Sequence, residues 1–456
     1  MAAMRLDMKN VVFVKPSKPT PSSILSLSAI DNRPDGDGLG QVIYVYQSET
    51  NHDDSLNTQD PVLTIKEALS KLLFYYYPLA GRLVKHADGN SRVHFNKDYG
   101  VPFLEAVANC SLSSLHYLDG NDTEIAKHFA FDLPSQDQNG HNYPLVMKLT
   151  KFPCGGFTIG MGMSHLIADG FGASQFFRAL AEFARGKKEP SVKPVWERER
   201  LMGSTTKQPY KSPIGEAEST VSPFLPATTL MHVCFNVDHE SIARLKISLM
   251  KEISGNGTIE RIFTTFEALG AYIWRARAKA LKLSYDGKTT LVSAVGIRGN
   301  LNPPLPEGYY GNAFVDPYTV LTVKELIERP LSEIAKFIRS SNKVASTLDY
   351  IENSINTIYP SLEDFNIFDG AITCITDWRH LGFMQNMDFG GNKVVNLVPD
   401  PCGMFGSESV CVFSSSLDPS MKGGVKVFVS LPSEAFPKFK EEMEALKHES
   451  NPQEGC

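Results

Sequence analysis

The sequence contains no apolar run of the length that a membrane helix needs. Such a helix takes roughly 20 consecutive apolar residues, whereas the strongest candidate, residues 72–80, includes three tyrosines and a proline. Residues 1–30 scatter basic side chains among serine and proline and lack the continuous apolar core of a secretory signal. We therefore expect a cytoplasmic protein with no membrane partner.

The chain also lacks an excess of positive charge. The 45 Lys and Arg residues are outnumbered by 51 Asp and Glu residues, and the formal net charge is -6 at pH 7. Proteins that bind nucleic acid carry a basic surface that neutralises backbone phosphates. We therefore expect no nucleic-acid partner.

The cysteines lack the spacing of a metal or redox site. There are seven, and no two of them form a Cys-x-x-Cys pair. They are widely separated along the chain, at Cys110, Cys154, Cys234, Cys374, Cys402, Cys411 and Cys456. This pattern favours reduced, mostly buried thiols and no bound metal ion.

Three common catalytic signatures are missing too. The chain has no Gly-x-Ser-x-Gly elbow, no Gly-x-x-x-x-Gly-Lys-Ser/Thr loop and no His-Glu-x-x-His helix. Glycines at positions 36, 38 and 40 lie in an Asp-rich stretch without a preceding strand or a following helix, so we predict a loop there. Serine-hydrolase, P-loop and zinc-protease chemistry are thereby excluded.

The length and composition are those of a two-domain globular protein. The chain has 456 residues, of which 42% are hydrophobic and 21% are charged. Helical and strand patterns alternate, which predicts a mixed α/β fold. They stop over a proline-rich stretch, so we predict an N-terminal domain over 1–186, a crossover linker over 187–227 and a C-terminal domain over 228–456.

Local signals predict several elements. Capping boxes at Thr64–Glu67 and Thr264–Glu267 predict helix starts. Further helices are predicted from Gly170 to about Arg185 and around Phe436 to Leu446. Apolar runs predict strands over Phe157–Met163, Val410–Ser414 and Val425–Leu431.

One short motif has the composition of a catalytic site. His165, Asp169 and Gly170 lie where an apolar strand ends and an amphipathic helix begins. A neutral imidazole has a pKa near working pH and can take a proton from a hydroxyl or amine as that group attacks a carbonyl. From spacing alone, His165 is either such a base or a core histidine. Asp169 either orients the imidazole, forms a structural salt bridge or caps the helix.

The motif His-x-x-x-Asp-Gly resembles the signature of the plant BAHD acyltransferases. Other stretches match that family in the same order along essentially the whole chain. They are Tyr76–Leu83, Cys154–Gly156, Ala184–Gly186, Pro194–Trp196, Thr265–Glu267 with Trp274, Asn302–Asn312, Thr376–Trp378 and Leu381–Phe383. The similarity is strongest to the benzyl-alcohol, taxane and alkaloid acyltransferase subgroup.

The resemblance implies a fold and a reaction. It implies two similar-sized α/β domains with mixed β-sheets flanked by helices, as in chloramphenicol acetyltransferase, joined by a long crossover loop. The implied reaction moves an aromatic or aliphatic acyl group from acyl-CoA, a co-substrate, to a specialised-metabolite alcohol or amine within a ternary complex. No permanently bound cofactor is implied, and the enzyme is expected to be a monomer. Ester and amide products both remain open, and the alternative is a non-catalytic relative that binds CoA esters or a protein.

The resemblance also assigns residues. His165 is the implied general base, and Arg298 is the implied structural partner of Asp169. Thr376 and Trp378 match positions near the reacting carbonyl, where polar donors stabilise an oxyanion, although core packing is an alternative for Trp378.

Two further assignments concern the CoA side. Thr264 and Thr265 match the region of the CoA phosphates, where a helix N-terminus offers N–H groups to an anion; a simple N-cap is the alternative. The second family signature, Asp-Phe-Gly-Trp-Gly, departs here to Asp388-Phe-Gly-Gly-Asn392, so its tryptophan is replaced or deleted. The family treats this motif as structural, and we expect catalysis to survive the change.

Overall fold

Two large mixed β-sheets with helices packed against them make up most of the chain. The computed structural model describes residues 4–34, 38–48, 60–120, 123–204, 206–215, 218–227, 229–253, 262–359, 371–388, 390–400 and 409–448. None of the helices in these ranges combines the length and apolar character that a membrane crossing requires.

The first sheet is built mainly from the N-terminal half. Its strands are β1 (Leu6–Met8), β2 (Val12–Val14), β4 (Leu39–Ser48), β7 (Val101–Ala108), β8 (Leu145–Lys151), β9 (Phe157–Ser164) and β18 (Asn392–Asp400). The order is β1-β7-β8-β9-β4-β18, with β2 also on β7. Only β7 and β8 pair in parallel within this sheet. Strand β18 comes from the C-terminal half and pairs antiparallel with β4.

The second sheet comes entirely from the C-terminal half. Its strands are β11 (Leu230–Val237), β12 (Lys288–Ser293), β15 (Tyr318–Thr322), β17 (Ile372–Asp377), β19 (Val410–Ser414) and β20 (Val425–Pro432), in the order β11-β20-β19-β17-β12-β15. Strand β17 pairs in parallel with both of its neighbours. The three strands predicted from apolar runs correspond to β9, β19 and β20.

Smaller sheets and eight helices complete the described part of the chain. The remaining strands are β3 (Ser23–Ser26), β5 (Arg82–Lys85), β6 (Ser91–Phe95), β10 (Gln208–Pro209), β13 (Val295–Gly296), β14 (Phe314–Val315) and β16 (Thr357–Ile358). The helices are α1 (Pro61–Leu72), α2 (Gly170–Ala184), α3 (His239–Ile253), α4 (Thr265–Ala280), α5 (Val323–Glu328), α6 (Leu331–Ala345), α7 (Leu348–Ile355) and α8 (Phe436–His448).

Capping chemistry explains where two helices begin. Helix α4 starts with the predicted capping box, in which the Thr264 hydroxyl accepts from the Glu267 N–H at 3.1 Å and the Glu267 carboxylate accepts from the Thr264 N–H at 2.8 Å. The same prediction at Thr64 was wrong. Helix α1 begins four residues earlier because Asp60, not Thr64, caps it and Pro61 occupies its first turn, and this pair is a stronger start signal than Thr64.

Two other local predictions need correction. Gly40 lies on β4, opposite Met163 of β9, and is not in a loop, since the apolar strand that follows extends back over it; position 36 lies outside the described residues. The described cysteines carry free thiols, but only Cys234 and Cys411 are buried. Cys402 and Cys456 lie outside the described residues.

Four apolar clusters are present among the described residues, and the three larger ones hold these layers together. One lies between the first sheet and helices α1 and α2, where the Tyr44 ring stacks on Phe177 with centroids 3.9 Å apart. A second lies under α3, α4, α6 and α8 on the second sheet. The third joins Ile30, Leu201 of the predicted linker and Ile297, and therefore packs three distant parts of the chain together. The domain boundaries themselves stay a prediction.

Candidate active site

His165 lies in the first turn after β9, at the C-terminal end of an interior strand of the first sheet. Strand β9 is buried along its whole length, and the chain leaves it through a turn over residues 165–167. The His165 N–H donates to the Gly38 carbonyl at 3.0 Å, and the side chain is half-buried. Its ring meets the Phe314 ring edge to face, with centroids 5.8 Å apart. The backbone of His165 is therefore fixed by a hydrogen bond, while its imidazole ring remains accessible.

Asp169 anchors the other end of this loop. Its carboxylate caps α2 by accepting from the Gly172 N–H at 2.9 Å. Two guanidinium nitrogens of Arg298 donate to the same carboxylate, each at 2.8 Å, and the Ala313 N–H donates at 3.1 Å. Burial alone would raise the pKa of Asp169, but Arg298 and these N–H groups hold it below its usual value. Asp169 therefore serves both as helix cap and as ion-pair partner.

Gly170 allows a close approach at the start of α2. A β-carbon at this position would lie 2.7 Å from the Leu381 side chain. Phe383 packs beside the same point, so the segment after β17 lies directly on the helix N-terminus. A larger residue here would require the Leu381 side chain to move.

A second buried network holds the middle of the loop. The Asn312 side chain donates to the His165 carbonyl at 2.6 Å and to the Asp31 carboxylate at 2.7 Å. Arg198 lies 3.4 Å from the same carboxylate and donates to the Ile167 carbonyl at 2.8 Å. Both Asp31 and Arg198 are about 1% exposed. Two carbonyl groups of the turn are thus tied to a buried ion pair.

One wall beside His165 is aromatic and contains an ion pair. The Phe314 ring contacts the His165 ring. Asp316, two residues further along the chain, forms an ion pair with Arg33 at 2.5 Å. The Arg33 guanidinium lies 5.7 Å from the Phe314 ring centroid and 4.5 Å from that of Tyr359. A cation is therefore held on the far side of Phe314 from the imidazole or beside it, by a carboxylate and two rings.

Thr376 and Trp378 lie at the boundary between the two sheets. Thr376 is a half-buried residue of β17, opposite Val412 of β19. Trp378 follows the strand but packs into the apolar cluster of the first sheet, with its ring 5.0 Å from that of Phe383. Since Phe383 adjoins Gly170, the structure brings this segment to the start of α2. Both the oxyanion role and the packing role remain open for Trp378.

Thr264 and Thr265 lie at the start of α4, a helix that packs on the second sheet. The Thr264 hydroxyl serves as the helix cap. Lys246 lies near this point: burial lowers its pKa, nearby Arg379 lowers it further, and Glu267 of the cap opposes this shift. Arg379 is itself paired with Asp377 at 2.6 Å. A helix N-terminus and a neighbouring lysine together favour an anion.

Asp388 lies in a turn that leads into β18. Its carboxylate accepts from the Val394 N–H at 2.8 Å, and its carbonyl accepts from Arg185, at the end of α2, at 2.7 Å. Gly391 has φ of 74°, a left-handed conformation that strains any residue with a β-carbon. Glycine adopts this backbone conformation without strain. Phe389 lies outside the described residues.

Sequence reasoning missed four charged residues of this site: Asp31, Arg33, Arg198 and Asp316. Asn312 entered only as the end of a matching stretch. Each of them acts through a partner far away in the chain, for example across 281 positions between Asp31 and Asn312. For Asp31, the sequence offered one local signal, namely a carboxylate directly after the apolar Ile30.

Comparison with known proteins adds independent information. The Transferase family model matches residues 4–446. Spermidine coumaroyl-CoA acyltransferase of Arabidopsis thaliana is 41% identical over 453 residues, which cover 97% of this chain and 96% of that protein. Spermidine sinapoyl-CoA acyltransferase of the same plant is 40% identical over 442 residues, or 95% and 96% of the two chains. Among solved structures, vinorine synthase superposes with a TM-score of 0.72 at 22% identity, over 97% and 98% of the chains. The predicted fold class is confirmed.

Replacing Asp169 with asparagine should destabilise the protein strongly. Asp169→Asn leaves the Arg298 charge in a mostly buried place without its counter-ion, which costs about 3–5 kcal/mol. Denaturant unfolding at pH 7 measures this loss. Glu67→Gln, which removes an exposed pair with Lys71, is the matched control and should change stability by less than about 1 kcal/mol. Equal stabilities of wild type and Asp169→Asn would contradict the account.

The same pair predicts a pH dependence. Because the folded pKa of Asp169 is depressed, its contribution is complete above the unfolded pKa of about 3.9 and is lost as the pH falls through the folded pKa. The stability difference between wild type and Asp169→Asn should therefore be constant from neutral pH down to about 5. Below about pH 4 it should shrink. Unfolding curves at several pH values test this, and a difference that grows on acidification would be inconsistent with it.

Removing the Asn312 amide should reduce turnover more than binding. Asn312→Ala frees the His165 carbonyl and allows the imidazole to move, and a small misplacement lowers kcat by roughly 10- to 100-fold. Steady-state kinetics should show a fall in kcat with little change in KM. Asn353→Ala, at an exposed position on α7, is the control. A loss of thermal stability with an unchanged kcat would reduce Asn312 to a purely structural role.

Proposed function

The chain belongs to the plant BAHD acyltransferases, the transferase family whose model matches residues 4–446, and we propose that it acylates a nitrogen of an aliphatic polyamine with a hydroxycinnamoyl group from CoA. The predicted family and the predicted acyl-CoA-dependent acyltransferase activity are confirmed. The observation that carries the proposal is the accessible His165 ring beside a wall that already holds a cation.

Relatives favour nitrogen over oxygen as the acceptor atom. The two proteins that are 41% and 40% identical act, by their names, on spermidine with coumaroyl-CoA and sinapoyl-CoA. A taxane O-acetyltransferase of Taxus chinensis is 32% identical. This gap in identity supports an amine acceptor and a hydroxycinnamoyl donor.

The proposed chemistry needs one base and one set of donors. The acceptor nitrogen attacks the thioester carbonyl carbon, and His165 takes the proton that this nitrogen loses. Polar groups of the Thr376–Trp378 segment stabilise the oxyanion. The C–N bond is then complete, the C–S bond breaks, and the proton passes from the imidazole to the CoA thiolate. Asp169 and Arg298 hold the loop and take no part in proton transfer.

The CoA phosphates are assigned to the start of α4. Lys246 lies near Glu267 of the capped helix end and would attract a phosphate group. Thr265, in the first turn, contributes a backbone N–H there. The reaction thus uses acyl-CoA as co-substrate and requires no resident cofactor.

The alternative of a non-catalytic relative is not favoured. His165, Asp169 and Arg298 are all present, and the bidentate pair is formed. The changed motif at Asp388 forms a turn at the start of β18, where Arg185 contacts it, rather than part of the His165 loop. A monomeric state and a cytoplasmic location are retained as proposals.

Loss of the base should abolish most turnover. With a hydroxycinnamoyl-CoA and spermidine, wild-type protein should release CoA and form an amide, detected by product mass. His165→Ala should lower kcat by roughly 10²- to 10⁴-fold because no other base replaces the imidazole, while His239→Ala, at an exposed position, should behave like wild type. Unchanged turnover in His165→Ala would refute the general-base assignment.

Removing one cation from the CoA site should weaken donor binding alone. Lys246→Gln should raise KM for acyl-CoA by about 10-fold, the loss expected for one charge-assisted hydrogen bond, and leave KM for the acceptor unchanged. Lys251→Gln, an exposed lysine on the same helix, is the matched control. If both variants retain the wild-type KM for acyl-CoA, the phosphates bind elsewhere.

A further inference from the structure

The wall beside His165 contains a group of side chains that the reaction itself does not use. Asp316 and Arg33 form an ion pair at 2.5 Å, and their side chains are only 12% and 11% exposed. Phe314 and Tyr359 cover the guanidinium. Removing two charges from water is unfavourable unless they meet a counter-ion and further polar groups. Such a pair next to a catalytic base therefore requires an explanation.

Four tyrosines surround this ion pair. The Tyr350 hydroxyl donates to the Asp316 carbonyl at 2.8 Å. Burial raises the pKa of Tyr350 to about 12, and the Asp316 charge adds to the shift. Tyr210 packs between two other rings, with centroids 5.3 Å from Tyr359 and 6.4 Å from Tyr318. Rings that face a cation next to a carboxylate form an ammonium-binding environment.

The position of Asp316 relative to His165 suits a diamine. The His165 ring and the Arg33 guanidinium lie 5.8 and 5.7 Å from the same Phe314 ring, so the cation that pairs with Asp316 is one aromatic ring away from the imidazole. Phe314 reaches the His165 ring. Three or four carbons hold two amine nitrogens roughly 5–6 Å apart. An acceptor with one nitrogen at His165 would thus direct its next ammonium group past the Phe314 ring, toward Asp316 and Arg33.

We propose that Asp316, with the rings of Phe314 and Tyr359, binds the second ammonium group of a polyamine acceptor, and that Arg33 occupies this place until the acceptor displaces it. The proposal rests on the proposed function. It makes Asp316 a specificity-determining residue, because a monoamine has no group to place there. Arg33 keeps the carboxylate paired in the free enzyme, where an uncompensated buried charge would be costly.

The test compares kcat/KM for spermidine with kcat/KM for n-hexylamine, using one hydroxycinnamoyl-CoA at saturation. The ratio of the two values does not depend on how much of a variant is correctly folded. Asp316→Asn should lower this ratio by about 10- to 100-fold, because a neutral amide cannot replace a charge-assisted contact to an ammonium group. Asp349→Asn, at an exposed position on α7, is the matched control and should keep the wild-type ratio.

Arg33→Gln tests the displacement. If Arg33 competes for the site, its removal should raise the ratio, by a factor set by the fraction of molecules in which Arg33 fills the site. A ratio that falls in Arg33→Gln would overturn displacement, and an unchanged ratio in Asp316→Asn would overturn the ammonium site. Wild-type protein that acylates neither amine would instead reject the proposed function. The two failures are therefore distinguishable.

Discussion

The Asp169 carboxylate is the constraint on which the site depends. It accepts four hydrogen bonds, from Gly172, twice from Arg298 and from Ala313. These donors come from helix α2 and from two segments of the C-terminal half. One buried acid therefore sets the start of the helix behind His165 and the position of the strand that carries Phe314. The base and the wall beside it are placed by the same interaction.

Local signals predicted the parts of the fold that depend on a few neighbouring residues. The α4 capping box lies within four residues, and the apolar strand before His165 is continuous in the sequence. At α1 two local start signals competed, and the prediction followed the weaker one, Thr64. The helix instead begins at Pro61, with Asp60 as its cap. The residues that contact His165 were harder to find, because their partners lie far apart. Asp169 and Arg298 are separated by 129 positions, and only the family resemblance pointed to the pair.

Because of long-range packing, the predicted domain boundaries describe only part of this fold. Strand β18 lies late in the chain yet completes the first sheet beside β4. Arg198, within the predicted linker 187–227, is among the most deeply buried charged side chains and binds Asp31. The linker thus contributes to the site as well as joining two sheets. Neither contact could be predicted from periodicity or composition, since both join distant segments of the chain.

The central claim is that a firmly held imidazole takes a proton from a polyamine nitrogen. A competition in a single reaction tests it most directly: wild-type protein, one hydroxycinnamoyl-CoA, and equal concentrations of spermidine and an aliphatic alcohol of similar length, with products separated by mass. The account predicts that amide greatly exceeds ester and that the excess disappears in His165→Ala. Ester as the main product, or amide formation that survives this substitution, would contradict it.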